Sequence, residues 1–417
     1  MQEMKYSGVE WIGEIPEDWG IVKVKQAFVR KNEKAQQENP VVLSLARSGV
    51  RVRDVSTNEG QVAESYYNYN PVSVGDLLLN PMDLYSGANC SLSEVEGVIS
   101  PAYVNLKNKE GYFSKFYDYY FKVQYWMMVL FAHGKGVSFD NRWTLNHETL
   151  MNFPIVSPDF KTQKHIADFL DDKCGKIDRY IEKQQQIIDK LKEYKQAVIT
   201  EAVTKGLNPD VPMKDSGIEW IGMIPEHWEV KKFGYIATVK ANLVHPNAYG
   251  DYPQVSSENI EKSTGRLLKC KTVNDVGVIS DNHLFFKGQI LYSKIRPALN
   301  KACIAPFDGL CSADIYPIET MENTEFVLFS ILSESFLEQV RTLTETRVKM
   351  PKINQNELSG IISCVPPLDE QNKIVAYINR KMKLIDLVLV KKERILEKLT
   401  EYKKSLIYEA VTGKMEV

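Results

Sequence analysis

The chain has 417 residues, 44% hydrophobic and 25% charged, with 52 basic against 54 acidic side chains and a net charge of −2. That length holds several compact cores, and the near-neutral balance excludes a protein that grips nucleic acid by overall charge alone, leaving local basic surfaces as the places to look. Six cysteines (Cys90, Cys174, Cys270, Cys303, Cys311, Cys364) without C-x-x-C spacing argue against a zinc site or a disulfide framework, and an apolar run no longer than Tyr125 to Ala132 argues against a membrane span, so a soluble cytoplasmic protein with reduced thiols is expected.

The first element is an entry segment, Glu10-Trp-Ile-Gly-Glu-Ile-Pro-Glu-Asp-Trp19, and it returns as Glu219-Trp-Ile-Gly-Met-Ile-Pro-Glu-His-Trp228. The chain is an internal duplication, and Trp11, Trp19, Trp220 and Trp228 are expected to anchor the entry of each half. Strand-like stretches follow in matched pairs: Val41-Val-Leu-Ser44 with Gln254-Val-Ser256, Gly75-Asp-Leu-Leu-Leu-Asn80 with Gly288-Gln-Ile-Leu-Tyr-Ser293, and Gly97-Val-Ile-Ser100 with Gly309-Leu-Cys-Ser312. Helical patterns come next, Phe116 to Phe131 and Phe326 to Val340, so each module mixes helix and strand.

Each half then closes in a long helix. Ile166, Leu170, Cys174, Ile177, Ile181, Gln184, Ile188, Leu191, Tyr194, Val198 and Ala202 step by threes and fours, and Ile374, Ile378, Met382, Ile385, Leu389, Lys392, Leu396, Leu399, Tyr402, Leu406 and Ala410 repeat the steps. The stripe is about two positions wide per heptad, the width of a helix-on-helix seam rather than of a helix sunk in a globular core. Pro158, the Gly206 to Pro209 stretch and Pro366-Pro367 punctuate the ends. The expected fold class is α+β: two mixed α/β modules in tandem (residues 1–157 and 208–365), joined and spaced by two long helices (158–207 and 366–417). These form an antiparallel coiled coil with a pseudo-twofold axis, the second helix ending near where the first half begins.

Catalytic signatures are absent. There is no phosphate-binding glycine loop, no H-E-x-x-H, no G-x-S-x-G and no Asn/Asp-Pro-Pro-aromatic tetrapeptide for gripping a flipped base. Pro158-Asp159 with Glu193-x-Lys195 imitates a nuclease spacing, but Lys195 is expected to face water on a helix. His133, His147, His165, His227, His245 and His283 are dispersed and show no metal-ligand spacing. The aromatic runs Tyr66, Tyr67, Tyr69 and Phe116, Tyr117, Tyr120, Trp126 read as core packing.

Basic loops carry the functional signal. Arg47, Arg51 and Arg53 cluster in Ala46-Arg-Ser-Gly-Val-Arg-Val-Arg53, with Arg51 and Arg53 on one face of an extended segment; arginine pairs bidentately with guanine. In the second half Ser293-Lys-Ile-Arg-Pro-Ala-Leu-Asn-Lys301 supplies Lys294, Arg296, Asn300 and Lys301, suited to phosphate and adenine contacts. Further basic residues follow in both halves: Lys135 and Arg142, then Arg341, Arg347, Lys349 and Lys352. A duplicated chain suits a partner with two separated targets, as double-helical DNA has.

The twinned entry segments, Gly97-Val-Ile-Ser-Pro-Ala-Tyr103, Ser293-Lys-Ile-Arg-Pro-Ala-Leu-Asn-Lys301 and Pro366-Pro-Leu-Asp-Glu-Gln371 ahead of a heptad helix together resemble the specificity subunits of type I restriction-modification systems, over essentially the whole chain. The resemblance implies a non-catalytic subunit with two target recognition domains, each reading half of a bipartite DNA sequence, and helices that set the spacing. It implies two modification subunits that methylate adenine with S-adenosylmethionine, and restriction subunits that use ATP and Mg, with no cofactor in this chain. By position it maps DNA-facing loops to Arg47 through Arg53 and Asn80-Pro-Met82, and to Ser256 through Asn259 and Ser293 through Lys301. Ser157-Pro-Asp-Phe-Lys-Thr-Gln163 departs from the Pro-Pro-Leu-x-Glu-Gln pattern at the first helix. The competing readings are a fused restriction-methylation enzyme, which would transfer methyl groups alone, and a structural coiled-coil adaptor, which would not confer DNA binding.

Overall fold

The computed structural model describes residues 3–55, 63–82, 84–86, 89–136, 143–347 and 351–417. Its chain divides into two compact units that cut across the long helices: Met1–Gln184 with Arg394–Val417, and Gln185–Glu393.

In the first unit, strands β1 (Phe28–Lys31), β2 (Leu77–Leu79), β3 (Cys90–Leu92) and β4 (Val104–Asn108) form an antiparallel sheet in the order β1-β4-β2-β3. Helix α1 (Ser114–Trp126) covers it, burying Phe116, Tyr117, Tyr120 and Phe121 completely. The entry segment adds Ile15 and Trp19 to the same core. Helix α2 (Phe160–Lys205) then begins, and its Ile166, Leu170, Cys174 and Ile177 close over that core.

The second unit repeats the plan. Strands β5 (Ala237–Val239), β6 (Ile290–Ser293), β7 (Ala302–Ile304) and β8 (Ile315–Thr320) take the order β5-β8-β6-β7, and α3 (Thr324–Leu332) with α4 (Glu334–Thr344) covers them. Helix α5 (Leu368–Val411) follows.

The matched sequence stretches have matched work. Asp76 accepts the Ser73 N–H at 2.8 Å as β2 begins, and Gln289 accepts the Phe286 N–H at 2.8 Å as β6 begins. Val42 bridges Val98 in parallel, and Gln254 pairs in parallel with Leu310. Gly97 and Gly309 permit that approach, since a Cβ would stand 2.5 Å from the Val41 carbonyl in one module and 2.7 Å from the Pro253 carbonyl in the other. Any side chain there would push the strands apart.

The helix pairing is antiparallel within each unit. In the first, Lys403 Nζ lies 2.6 and 2.7 Å from the two Asp178 oxygens, while Ala410 and Val411 pack with Ile166 and Leu170. In the second, Lys195 Nζ lies 2.7 Å from Asp386 Oδ1, while Ala202 shares a cavity wall with Tyr377. Of the expected seam, Ile166, Leu170, Ile177, Ile188, Ile374, Ile378, Ile385 and Leu389 are buried and Ile181, Leu191, Leu396 and Leu399 half-buried.

Five expectations are corrected. Tyr194 and Tyr402 are exposed, and Lys195 does not face water: its side chain is 16% exposed and its ammonium meets Asp386 on the opposite helix. The helical stretches are each interrupted, at Met128, which is left-handed with φ 58°, and at Ser333, which caps α4 by accepting the Phe336 N–H. Trp220 is 44% exposed and anchors little, whereas Trp19 and Trp228 are buried. Tyr67 is exposed, so the Tyr66–Tyr69 run is not all core, although Tyr66 and Tyr69 pack edge to face.

The irregular start of α2 keeps the one side chain that matters. Gln163, 1% exposed, donates to the Pro158 carbonyl at 2.7 Å and the Gly111 carbonyl at 3.2 Å and accepts from the Phe113 N–H at 2.7 Å. Gln371, 0% exposed, donates to the Pro366 carbonyl at 2.9 Å and Glu322 at 2.7 Å and accepts from the Asn323 N–H at 3.0 Å. Each glutamine thereby ties a long helix to the N-cap residue of α1 or α3. Removing the amide strands a backbone N–H, so Gln163→Ala and Gln371→Ala should each lower stability by about 2–4 kcal/mol in urea unfolding, without a change in helix content at zero denaturant.

Candidate nucleic-acid interface

In the second module four chain segments converge on the turn after β6. Ser293, which ends that strand, shares a 3.0 Å hydroxyl contact with Ser257, and Lys301 Nζ donates to the Ser257 carbonyl at 2.6 Å. The Lys294 N–H donates to the Asp314 carbonyl at 2.9 Å, and the Lys294 carbonyl accepts from Ile353 at 3.0 Å. Arg296 N–H donates to the Pro351 carbonyl at 2.8 Å. Residues 256–259, 293–301, 312–314 and 351–353 thus meet at one end of the sheet.

The charge pattern there is mixed. Lys294 Nζ sits 5.1 Å over the Tyr316 ring and 4.0 Å from Asp314, which Lys352 also pairs at 3.0 Å. Burial first, with the Lys294 charge second, lowers the His283 imidazole below its ordinary range. Arg347 is engaged by Glu357 and the Lys352 carbonyl, and its hydrogen bond holds the Glu357 carboxyl below the usual range. Arg296 is exposed.

The first module builds its turn from Asn80, Pro81 and Met82 after β2. Asn80 Oδ1 accepts the Met82 N–H at 2.9 Å, its carbonyl accepts the Tyr125 hydroxyl at 2.6 Å, and the Pro81 carbonyl accepts the Leu145 N–H at 2.9 Å. That last bond is the counterpart of Ile353 to Lys294. A hairpin, Leu43–Ala46 with Gly49–Val52, carries Arg47 exposed in its turn and Arg51 exposed opposite Ser44. Arg53 follows the hairpin and lines a cavity of about 530 Å³ with Ser44, Tyr69, Met82, Ser100 and Tyr103. Lys135 is exposed, its backbone bridged to Thr144.

The sequence-derived set therefore separates. Arg47, Arg51, Lys135 and Arg296 face outward; Arg53, Met82, Ser256, Asn259, Lys294, Lys301 and Arg347 are half-buried. Asn80, Ser293 and Asn300 are buried, so none of these three presents its side chain to a ligand, and their work is to shape the turns. Asn300, expected to read adenine, has φ 45° and a buried Nδ2 without a hydrogen-bond partner among the described residues. Arg142 and Lys349 lie outside the described residues. Asp314 and Tyr316 escaped sequence reasoning, because nothing local marks residues brought to Lys294 by a strand pairing.

Among the described residues no group of His, Cys, Asp and Glu could hold a metal, all six cysteines are free, and no helix is long and apolar enough to cross a membrane. Asp159, one half of the nuclease-like spacing, caps the start of α2 through Lys161 and Thr162.

The chain carries two α/β modules, each with a turn at the end of its sheet fastened by an amide from a later segment and each followed by a long helix. Residues 225–399 match the type I restriction modification DNA specificity domain. The EcoDI type I restriction enzyme specificity subunit of Escherichia coli is 30% identical over 281 residues, 64% of this chain and 63% of that relative, so the match spans less than two thirds of the relative's length. The putative type I restriction enzyme MjaX specificity subunit of Methanocaldococcus jannaschii is 24% identical over 434 residues, 97% of this chain and 96% of that one. The fold is shared with a solved chain from work on complex assembly and conformational transition of the type I R-M system, at a TM-score of 0.71 and 13% identity, covering 96% of this chain and 99% of that one. These likenesses are all to specificity subunits or specificity domains of type I restriction-modification systems.

Two outcomes follow from the geometry. Asn300→Ala should cost about 1 kcal/mol relative to Asn300→Gly in thermal melts, because glycine accepts the left-handed backbone that a Cβ resists. The Arg347–Glu357 pair should contribute fully above the ordinary glutamate range near ~4.3 and fade as pH falls through the lowered value, so the stability gap between wild type and Glu357→Gln should close in acid.

Proposed function

We propose that this chain is the sequence-reading subunit of a type I restriction-modification complex, each module reading one half of a bipartite DNA target. The observation that supports this best is the repeated turn: β2 and β6 occupy the same place in matching sheets, and each ends in a turn fastened by an amide from the segment beyond. Both turns have outward-facing arginine in their module, Arg51 in the first and Arg296 in the second. Arg47, Arg53, Lys135, Lys294 and Lys301 would add phosphate or base contacts. The helices would set the spacing between half-sites.

In this reading the subunit is cytoplasmic and catalysis belongs to partners: two modification subunits that methylate adenine with S-adenosylmethionine, and restriction subunits driven by ATP and Mg. An apolar strip on α5 that avoids the seam, Leu384, Leu387 and Val388 at 56%, 53% and 40% exposure, offers a surface for a modification subunit. The near-neutral net charge fits a subunit that shares phosphate contacts with its partners.

The test is single-molecule sequencing of methylated adenines in cells with and without the gene. A bipartite motif should vanish with the gene; an unchanged methylome would sink the proposal. Arg51→Ala and Arg296→Ala should each relax the reading of a different half-site, by about 1–3 kcal/mol of discrimination in binding assays with the assembled complex.

A further inference from the structure

We propose that the hairpin at residues 260–267 is a strut between the second module's reading turn and the helix pair, with Arg266 as its positioning residue. This rests on the function proposed above. Near its tip, the Ser263 N–H donates to the Asn300 carbonyl at 3.0 Å. Its root is fixed by the Ile260–Leu267 bridge, by the Glu261 N–H to the Arg266 carbonyl at 3.0 Å, and by the Leu268 N–H to the Asn259 carbonyl at 2.7 Å. Its tip leaves Gly265 against α3, where a Cβ would lie 3.2 Å from Leu332 and 3.4 Å from Leu328. Arg266 Nη2 then reaches Asp386 Oδ2 at 2.6 Å.

Asp386 is the aspartate that joins the helices. Its Oδ1 takes Lys195 of α2 at 2.7 Å, so one carboxylate holds the helix pair with one oxygen and the hairpin with the other. The first half supplies a comparison: Asp178, in the matching place, gives both oxygens to Lys403. In the second half the lysine keeps one oxygen, and the other serves the hairpin.

The strain in the reading turn explains what the strut is for. Arg296, Asn300 and Ser263 are three of the six described non-glycine residues with positive φ, so half of the left-handed strain lies on this path. Such conformations persist only where the surroundings over-determine them. An exposed arginine pair standing alone would order little, but Arg266 meets a carboxylate already fixed by Lys195, whose side chain is 16% exposed. Arg266 thus sets how firmly the reading turn is referenced to the spacer, and through it how strictly the gap between half-sites is kept.

The experiment is adenine methylation sequencing in cells that carry the partner subunits and wild type, Arg266→Ala, Arg266→Lys or Asp386→Asn. Wild type should methylate one motif with one gap length. With Arg266→Ala and Asp386→Asn, methylation at sites whose gap is one base pair longer or shorter should rise by about two- to fivefold relative to the cognate gap, and Arg266→Lys should restore strictness. A wild-type motif with variants equally strict would overturn the strut, as would uniform loss of methylation at every site in both Arg266→Ala and Asp386→Asn. Absence of any wild-type motif would instead remove the proposed function.

Discussion

A buried glutamine amide, used once in each half, fixes how each long helix leaves its module. Gln163 and Gln371 bond the carbonyl just before their own helix and the N-cap N–H of the helix that covers the sheet. A side-chain amide can donate and accept at once, so a single residue satisfies groups that two elements would otherwise bury unpaired. The direction of α2 from the first module and of α5 from the second follows from that geometry.

Around this tie the two halves have diverged unevenly. Trp228 Nε1 donates to Glu370 at 3.1 Å, and His227 meets the same carboxylate at 2.8 Å. In the first half Thr162 stands in the place of that glutamate, and Trp19 Nε1 is buried without a partner among the described residues. The apolar contacts of the tryptophan survive while its polar contact does not, so packing holds the entry segment and hydrogen bonding refines it.

What could be read from the sequence was local or repeated. The seam was visible because Ile166, Leu170 and Ile177 recur at helical spacing, and the module because Gly97 and Gly309 mark the same close approach of strands. Tyr194 and Lys195 are neighbours that both fit a step of three or four, and only the aspartate on the antiparallel helix decides between them. The candidate site was half legible for the same reason. Arginine in a glycine-containing hairpin signals an exposed tip, as Arg47 and Arg51 show, but nothing in Ser293-Lys-Ile-Arg-Pro-Ala-Leu-Asn300 reveals that Ser293 and Asn300 turn inward or that Asp314 arrives from another segment. Polar residues of a strained turn look alike in sequence whether they face a ligand or hold the turn.

The discontinuous make-up of the first unit bears on its biosynthesis. Its core contains Leu406, Ile407, Ala410 and Val411, all 7% exposed or less, beside Ile166 and Leu170. On the ribosome those covering residues emerge only after the whole of Gln185–Glu393, a segment that is contiguous and can fold as it appears. Until then the nascent first unit shows a bare apolar strip along α2, so the half made first is the half finished last. Chaperone capture, slow translation or early arrival of an assembly partner would each act in that interval, on the strip that Ile166, Leu170 and Ile177 leave open.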